Sequence, residues 1–400
     1  MNNPALSLAD RLPAEVVPHL QWTKDNRLNN NANNWHAILS RDPRLAGRLM
    51  YNEFARKPFL DGREINGHAI TALQLWMSRN YFISPPTKPF EAVVSYAAQT
   101  NGGFDPLRDY ITALPAWDTT ERIDSFLIEA AKAADTPLVR RISRCFFLSC
   151  IQRALNPGCK VDTVLILQGK QRQKKSTAVE ALCPKREWFS SSQANLKIGD
   201  RDAVYCIQGK WLFEIAELDS FRGKKQTQLK AFFSEKVDRV RPLHSNFYED
   251  LPRRTIFVGT TNESAFLRDS TGSRRYHPVE VGMFDIPYII ENRDQLWAEA
   301  YAAVLAGEQH WFTDDEEDSL AAHNEAYQEV DPWEEPISEF MSEVCCPTMN
   351  DVLTLALRLK PKEADKRSQL RAAAILRRLG YKSKQTRSNG VHRQVWVEDK

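Results

Sequence analysis

The sequence predicts an α/β protein: a core of mostly parallel strands alternating with helices, a mainly helical region before it, and a small winged helix after it. Three observations lead there. Apolar runs of strand length at residues 164–167, 210–215 and 255–260 are separated by helical patterns, the alternation that builds a parallel sheet. From residue 35 to about residue 98 the apolar residues recur mostly at helical spacing, as in Ile70, Leu73 and Met77. After the core, three short helical patterns lead into alternating residues around Asn389-Gly390, the pair that best marks a tight hairpin.

Taken in order, residues 1–35 are polar and Asn-rich and read as an irregular lead-in. Residues 36–156 form the helical region: a turn entering a helix at 104–111, then helices over 123–134 and 138–154, the last stopped by Pro157-Gly158. Residues 157–311 hold the sheet, with helices over 178–182, 226–233 and 294–305. Residues 312–333 make an acidic linker, and 334–400 the winged helix, with helices over 336–344, 350–359 and 366–379 and a hairpin over 384–397.

A chain of 400 residues is too long for one ordinary core, and 42% apolar with 26% charged residues is a globular composition. No apolar run reaches the ~18 residues of a membrane helix, and residues 1–20 lack the basic start and apolar stretch of a secretory signal, so a cytoplasmic location is expected. Seven cysteines with no C-x-x-C pair predict reduced thiols; Cys145, Cys150, Cys159, Cys183 and Cys206 sit in apolar surroundings.

The net charge of +2 conceals a division. From Thr313 to Asp351 there are thirteen acidic residues and no Lys or Arg; from Val352 to Lys400 there are thirteen Lys or Arg and four acids. Either a basic DNA-binding module stands on an acidic base, or two surfaces of opposite sign pair with each other.

The segment from Gly169 to Thr177 follows a buried strand and opens a helix. Against G-x-x-x-x-G-K-[ST] it keeps Gly169, Lys175, Ser176 and Thr177, but Lys174 replaces the second glycine. Backbone N–H groups and a helix N-terminus suit phosphate, Lys175 suits the β and γ oxygens, and Ser176 suits Mg²⁺. Gln171, Arg172 and Lys174 complete the loop, whose extra cations offset part of the missing glycine. The alternative is a basic strand-to-helix loop that binds no nucleotide.

Such a loop needs a carboxylate from a second strand. Glu217, at the expected strand end, is the first choice for the Mg²⁺ and acidic role; Glu214 and Asp219 compete with it. Asn262, at the tip of the third strand, is placed to hold an attacking water, or else caps a turn. Arg274 and Arg275 follow a Gly-containing turn and could serve a neighbouring subunit's γ-phosphate. Between the second and third strands, alternation around residues 243–246 suggests a hairpin carrying Arg239, Arg241 and His244, a candidate DNA contact or an ordinary surface hairpin.

With these motifs assembled, the chain resembles the virulence-associated E family, proteins of phages, prophages and genomic islands related to superfamily 3 and poxvirus-type primase-helicases. The match spans roughly residues 25–310 and is most specific at Trp117-Asp118, 157–169, 209–219, 237–242, 259–264 and 267–278. The resemblance implies a P-loop, AAA+-like core and an ATP- and Mg²⁺-dependent helicase acting on DNA as a homo-oligomeric ring, for which a hexamer is expected. It gives Lys175 and Ser176 the nucleotide and metal roles, Glu217 the acidic role, Asn262 the sensor role, and Arg274 or Arg275 the finger. The family pattern resembles G-x-Q-G-x-G-K-[ST]; here Arg172 and Lys174 stand at its two inner glycines. The alternative is a non-hydrolysing DNA-binding initiator or regulator.

In the C-terminal module Arg371 and Arg378 are expected on the exposed side of the third helix, with Lys384, Arg387 and Arg393 on the wing and Trp396 inward. Such a module binds DNA through phosphates and a helix in the major groove, or binds protein. The acidic stretch could cover its basic face until DNA competes.

Overall fold

The structure is a computed structural model that describes residues 8–192, 201–217, 224–241, 247–267, 274–329, 331–360, 362–388 and 391–399. They fall into two compact units, one within Met1–Ser264 and Thr271–Asn324, the other within Ala265–Ser270 and Glu325–Lys400.

The amino-terminal part of the first unit is built on the helices Ala32–Arg41, Gly67–Tyr81 and Thr87–Asn101. Asn31 and Asn66 cap the first two by accepting the N–H groups of Asn34 and Ala69. Ile38, Met77, Tyr81, Phe90 and Val94 face inward to form their own core. The Asn-rich lead-in is irregular in backbone but packed. Val16 and Leu20 enter this core, and fully buried Asn34 bonds the backbone of Gln21 and Asn29. The sequence missed one feature: a four-stranded sheet with order Arg63–Glu64, Lys57–Leu60, Leu49–Asn52, Gly103–Phe104. These strands are two to four residues long and mostly half-exposed, too short for an alternating pattern to register.

The core of the unit is a five-stranded sheet in which every neighbouring pair is parallel. Its order is Tyr276–Glu280, Val164–Gln168, Ile256–Thr261, Leu212–Ile215, Phe189–Ser192. The three inner strands are buried along their whole length, which is why they read as continuous apolar runs. The edge strands escaped prediction because one is Ser-rich and the other contains Pro278, which an edge tolerates. Helices Pro137–Leu155 and Ile286–Leu305 complete the core. The second begins well before the expected residue 294, since Asp285 caps it by accepting the N–H of Tyr288. Trp297 lies on Trp211 with ring centroids 4.3 Å apart, and their indole N–H groups donate to Leu182 and Cys150 carbonyls.

Between the second and third inner strands, Val237–Val240 pairs antiparallel with Glu249–Pro252, the hairpin the alternation suggested; its tip, with His244, lies outside the described residues. Its base is anchored by fully buried Arg253, whose guanidinium makes two 2.6 Å bonds to Asp238, donates to the Phe232 carbonyl, and lies over the Phe232 ring. Cys145, Cys150 and Cys183 are buried as expected, but Cys206 is exposed on the outer turn of a short helix. Among the described residues no helix is long and apolar enough to cross a membrane.

His277, on the Pro-containing edge strand, is buried against the Phe312 ring at 4.6 Å. Burial pushes its pKa down from 6.5 to about 4; Asp162 opposes that shift, and Arg141 and His323 add to it. The unfolded chain therefore takes up a proton near pH 6.5 that the folded chain refuses until near pH 4, so this group lowers stability as pH falls through that window. The loss from pH 7 to pH 4.5 is expected to be roughly 2–3 kcal/mol. Urea unfolding at both pH values, on the parent and on His277→Phe, should show a shallower pH dependence in the variant.

The second unit contains helices Glu334–Glu343 and Lys366–Arg378, with Met349–Asp351 and a π-turn Val352–Ala356 between them. It closes with the hairpin Tyr381–Ser388 and Val391–Glu398, which starts earlier than residue 384 because Tyr381 already pairs with Glu398. Ile337, Leu353, Ala372, Leu376 and Trp396 fill its core. Trp396 points inward as expected.

Candidate functional site

The buried strand Val164–Gln168 delivers the chain to the carboxyl edge of the sheet, where ligands of open α/β sheets bind. Gly169 must be glycine: a Cβ there would come within 2.2 Å of Gln173 Oε1 and 2.6 Å of the Val281 carbonyl. The loop then turns through Arg172 at φ 67° and Lys174 at φ 60°, both left-handed. These are the two positions at which the resembled pattern has glycine, so the loop keeps a glycine backbone while carrying long cationic side chains. Each left-handed L-residue costs about 1 kcal/mol. Lys174→Gly and Arg172→Gly are expected to raise stability by up to that amount each, read as higher urea midpoints at unchanged slope; a lowered midpoint would show that the side chains stabilise the loop.

The helix Lys175–Leu182 starts directly after the loop. Lys175 is half-buried, and its Nζ donates to the carbonyls of Gly169 and Lys170 and, at 2.9 Å, to Asn262 Oδ1. Burial holds its pKa below the usual lysine value, and the negative charge of Glu214 offsets part of that. One helical position on, Ser176 Oγ donates to Glu214 Oε1 at 2.7 Å, and Thr260 Oγ1 donates to the same oxygen at 2.7 Å. Glu214 is fully buried, yet its second oxygen, Oε2, has no partner. A buried carboxylate oxygen left unpaired is costly, and here it belongs to the group that faces the Ser176 hydroxyl.

The predicted residues are thus partly brought together. Lys175 meets Asn262, and Ser176 meets Glu214. Glu217, the first choice for the acid, stands beyond the strand end, exposed and left-handed at φ 53°, and the carboxylate bonded to Ser176 is Glu214. Asp219 lies outside the described residues. Gln171, Arg172, Lys174 and Thr177 are exposed around the loop mouth. Thr260 was not anticipated; a hydroxyl at the tip of an apolar strand was the available signal, as was a carboxylate inside the otherwise apolar run Trp211 to Ile215.

Arg274 and Arg275 lie elsewhere. The parallel register pairs Tyr276 with Val164 and Glu280 with Gln168, which puts both arginines at the amino edge of the sheet, a strand's length, or about 15 Å, from the loop. Arg275 donates to Ser234 Oγ at 2.9 Å, and exposed Arg274 lies 3.6 Å from Glu317. Within one chain neither completes the loop site. On the inserted hairpin Arg239 is exposed, under the ring of Tyr248 and 3.8 Å from Asp250, and Arg241 is exposed as well.

In the second unit Arg371 and Arg378 are not bare. Arg371 makes bonds of 2.9 and 2.7 Å to Asp331 and lies 4.0 Å over the Trp333 ring, and Arg378 pairs with Glu334. The acidic stretch therefore meets the basic helix side chain to side chain. Lys384 and Arg393 are exposed on the hairpin, and the side chain of Arg387 lies outside the described residues.

Among the described residues no group of three or more His, Cys, Asp or Glu is placed to hold a metal. What the loop and its neighbouring strand bring together is a sparser oxygen set, one hydroxyl and one carboxylate.

The profile of the virulence-associated protein E-like domain matches residues 111–329. No curated protein matches the chain. Among solved structures, the apo structure of the NrS-1 C terminal region (305-718) is 11% identical, covering 88% of this chain and 95% of that one with a TM-score of 0.46. The A form apo structure of the same region is 12% identical, covering 88% and 96% with a TM-score of 0.47.

Proposed function

The chain belongs to the virulence-associated protein E-like family, and from that premise we propose that it is a Mg²⁺-dependent ATPase of the P-loop class that translocates on DNA in the replication of a phage, prophage or other mobile element. The observation that carries this reading is the pairing of Ser176 with buried Glu214, whose second oxygen lacks a partner, beside the Lys175–Asn262 contact. Ser176 and Glu214 would hold Mg²⁺ and Lys175 the β and γ phosphates of ATP, with loop N–H groups and the helix N-terminus around them. When bound, the metal would supply positive charge that offsets the negative charge developing on the phosphate. Asn262 then exchanges its bond to Lys175 for an attacking water, which it orients; Lys175 gives up its loop carbonyls for phosphate.

Neither Arg274 nor Arg275 completes the loop site of its own chain, which leaves one of the pair to act on a neighbouring subunit's nucleotide and so supports a ring. The hairpin with Arg239 and Arg241 and a C-terminal winged helix supply DNA contacts, the latter once Asp331 and Glu334 release Arg371 and Arg378. A second reading, a non-hydrolysing initiator, is favoured by one observation: Arg172 and Lys174 occupy left-handed positions that suit glycine.

ATP turnover with and without single-stranded DNA, on the parent and on Lys175→Ala, separates the two. Turnover stimulated by DNA and reduced at least about a hundredfold in Lys175→Ala is expected, since a lost phosphate contact in the transition state is worth on the order of 3 kcal/mol. DNA binding without turnover in the parent would establish the initiator instead.

A further inference from the structure

A second cavity, of about 360 Å³, opens at the amino edge of the sheet, on the far side from residues 169–175. That is within the range of roughly 300–1,000 Å³ typical of small-ligand sites. It is built from four segments: the entry to the strand Val164–Gln168, with Lys160 and Asp162; the entry to the strand Tyr276–Glu280, with Arg274, Arg275 and His277; the turn His310–Phe312 after the long helix; and Glu317 on the helix Asp314–Glu325.

Its chemistry is specific. His277 lines the cavity, is 4% exposed, and its Nε2 has no hydrogen-bond partner. A buried ring nitrogen left unpaired is an unfavourable arrangement unless a ligand answers it. Phe312 is clamped between the His277 ring and the guanidinium of Arg141, so it forms fixed wall. Trp311 differs: its indole is 55% exposed, yet it is held edge-on by His310 at 4.8 Å, and its carbonyl takes bonds from Gln309 and Arg141. A large ring held rigid and left open is a stacking platform. The cations at the rim are only loosely engaged, Arg274 at 3.6 Å from Glu317 and Lys160 at 3.6 Å from Asp162, distances at which a phosphate competes well.

An open indole, an unanswered ring nitrogen and loosely held cations around one cavity fit a planar heterocycle joined to a phosphate. We propose that this cavity binds a nucleotide unit, with the base on Trp311 and against His277 and the phosphate toward Arg274 and Lys160, independently of the loop that ends in Lys175. Two sources present that chemistry, a free mononucleotide and a nucleotide of a DNA strand.

Calorimetric titration of the 400-residue chain carrying Lys175→Ala, in which the loop is disabled, tests this with AMP and with a short single-stranded oligonucleotide. Saturable binding of AMP is expected, weakened roughly tenfold or more by adding Trp311→Ala, the usual loss when a stacking ring is removed. Trp311 is half-exposed, so that variant is expected to fold. His277→Phe, which keeps the ring and removes the nitrogen, should also weaken AMP. If only the oligonucleotide binds with dependence on Trp311, the unit belongs to a DNA strand and the site stands. Silence toward both probes, or binding indifferent to Trp311→Ala, overturns the proposal. Because Lys175 is already absent, failure here leaves the reading of the loop untouched, and failure of the loop leaves this site untouched.

Discussion

Glu214→Gln is expected to lower Mg²⁺-dependent ATP turnover by about a hundredfold to a thousandfold while nucleotide binding without metal changes only a few-fold. The amide still accepts from Ser176 and Thr260, so the local fold survives, but the carboxylate oxygen without a partner is replaced by an NH₂ group, which cannot ligate the proposed metal. Such a loss corresponds to ~3–4 kcal/mol of transition-state stabilisation, a usual size for a removed charge-stabilising group. Glu217→Gln serves as the comparison. Exposed and past the strand end, Glu217 should cost less than tenfold if its role is peripheral. The reverse ranking, with Glu214→Gln active and Glu217→Gln dead, would return the acidic role to Glu217. The Mg²⁺ dependence of nucleotide affinity provides the same ranking without turnover.

Asp238→Ala is expected to destabilise the first unit by about 3–5 kcal/mol, because it strands the guanidinium of Arg253 with its charge uncompensated in the interior. Arg253 would keep the Phe232 carbonyl and ring but lose both carboxylate bonds. The double variant Asp238→Ala with Arg253→Met should recover much of the loss, since an apolar pair does not need the salt bridge. Urea unfolding of the parent, both single variants and the double variant measures the coupling directly. A loss below about 1 kcal/mol in Asp238→Ala would mean that water reaches the guanidinium and that the pair is not buried in solution. The effect extends to function. Arg239 follows Asp238 on the same strand, so under the proposed role of the hairpin in DNA contact a loosened base should also weaken DNA binding.

The fold was legible where one residue type dominates a stretch. Apolar runs at 164–167 and 255–260 are of strand length and lie between helical patterns, which marks them as buried strands, and the hairpin flanks Asn389-Gly390, a pair that itself lies outside the described residues. The short strands of the amino-terminal sheet were not legible, because two to four residues do not complete enough periods. The edge strand with Pro278 was hidden for a different reason: its place is set by a neighbour rather than by its own propensity.

The candidate site divides in the same way. Sequence by itself determined the loop, its departure from glycine at Arg172 and Lys174, the carboxylates available nearby, and the division of charge between residues 313–351 and 352–400, since these are matters of spacing and composition. Tertiary structure alone decided which groups meet. It chose Glu214 over Glu217 as the partner of Ser176, because Glu214 lies within the buried strand while the chain has already left that strand when it reaches Glu217. It put Arg274 and Arg275 at the opposite edge, because parallel register fixes which end of a strand a residue occupies. It joined Arg371 to Asp331 across 40 residues of chain. Spacing along a chain records local geometry, whereas a contact between distant residues exists only once packing has brought their strands and helices together.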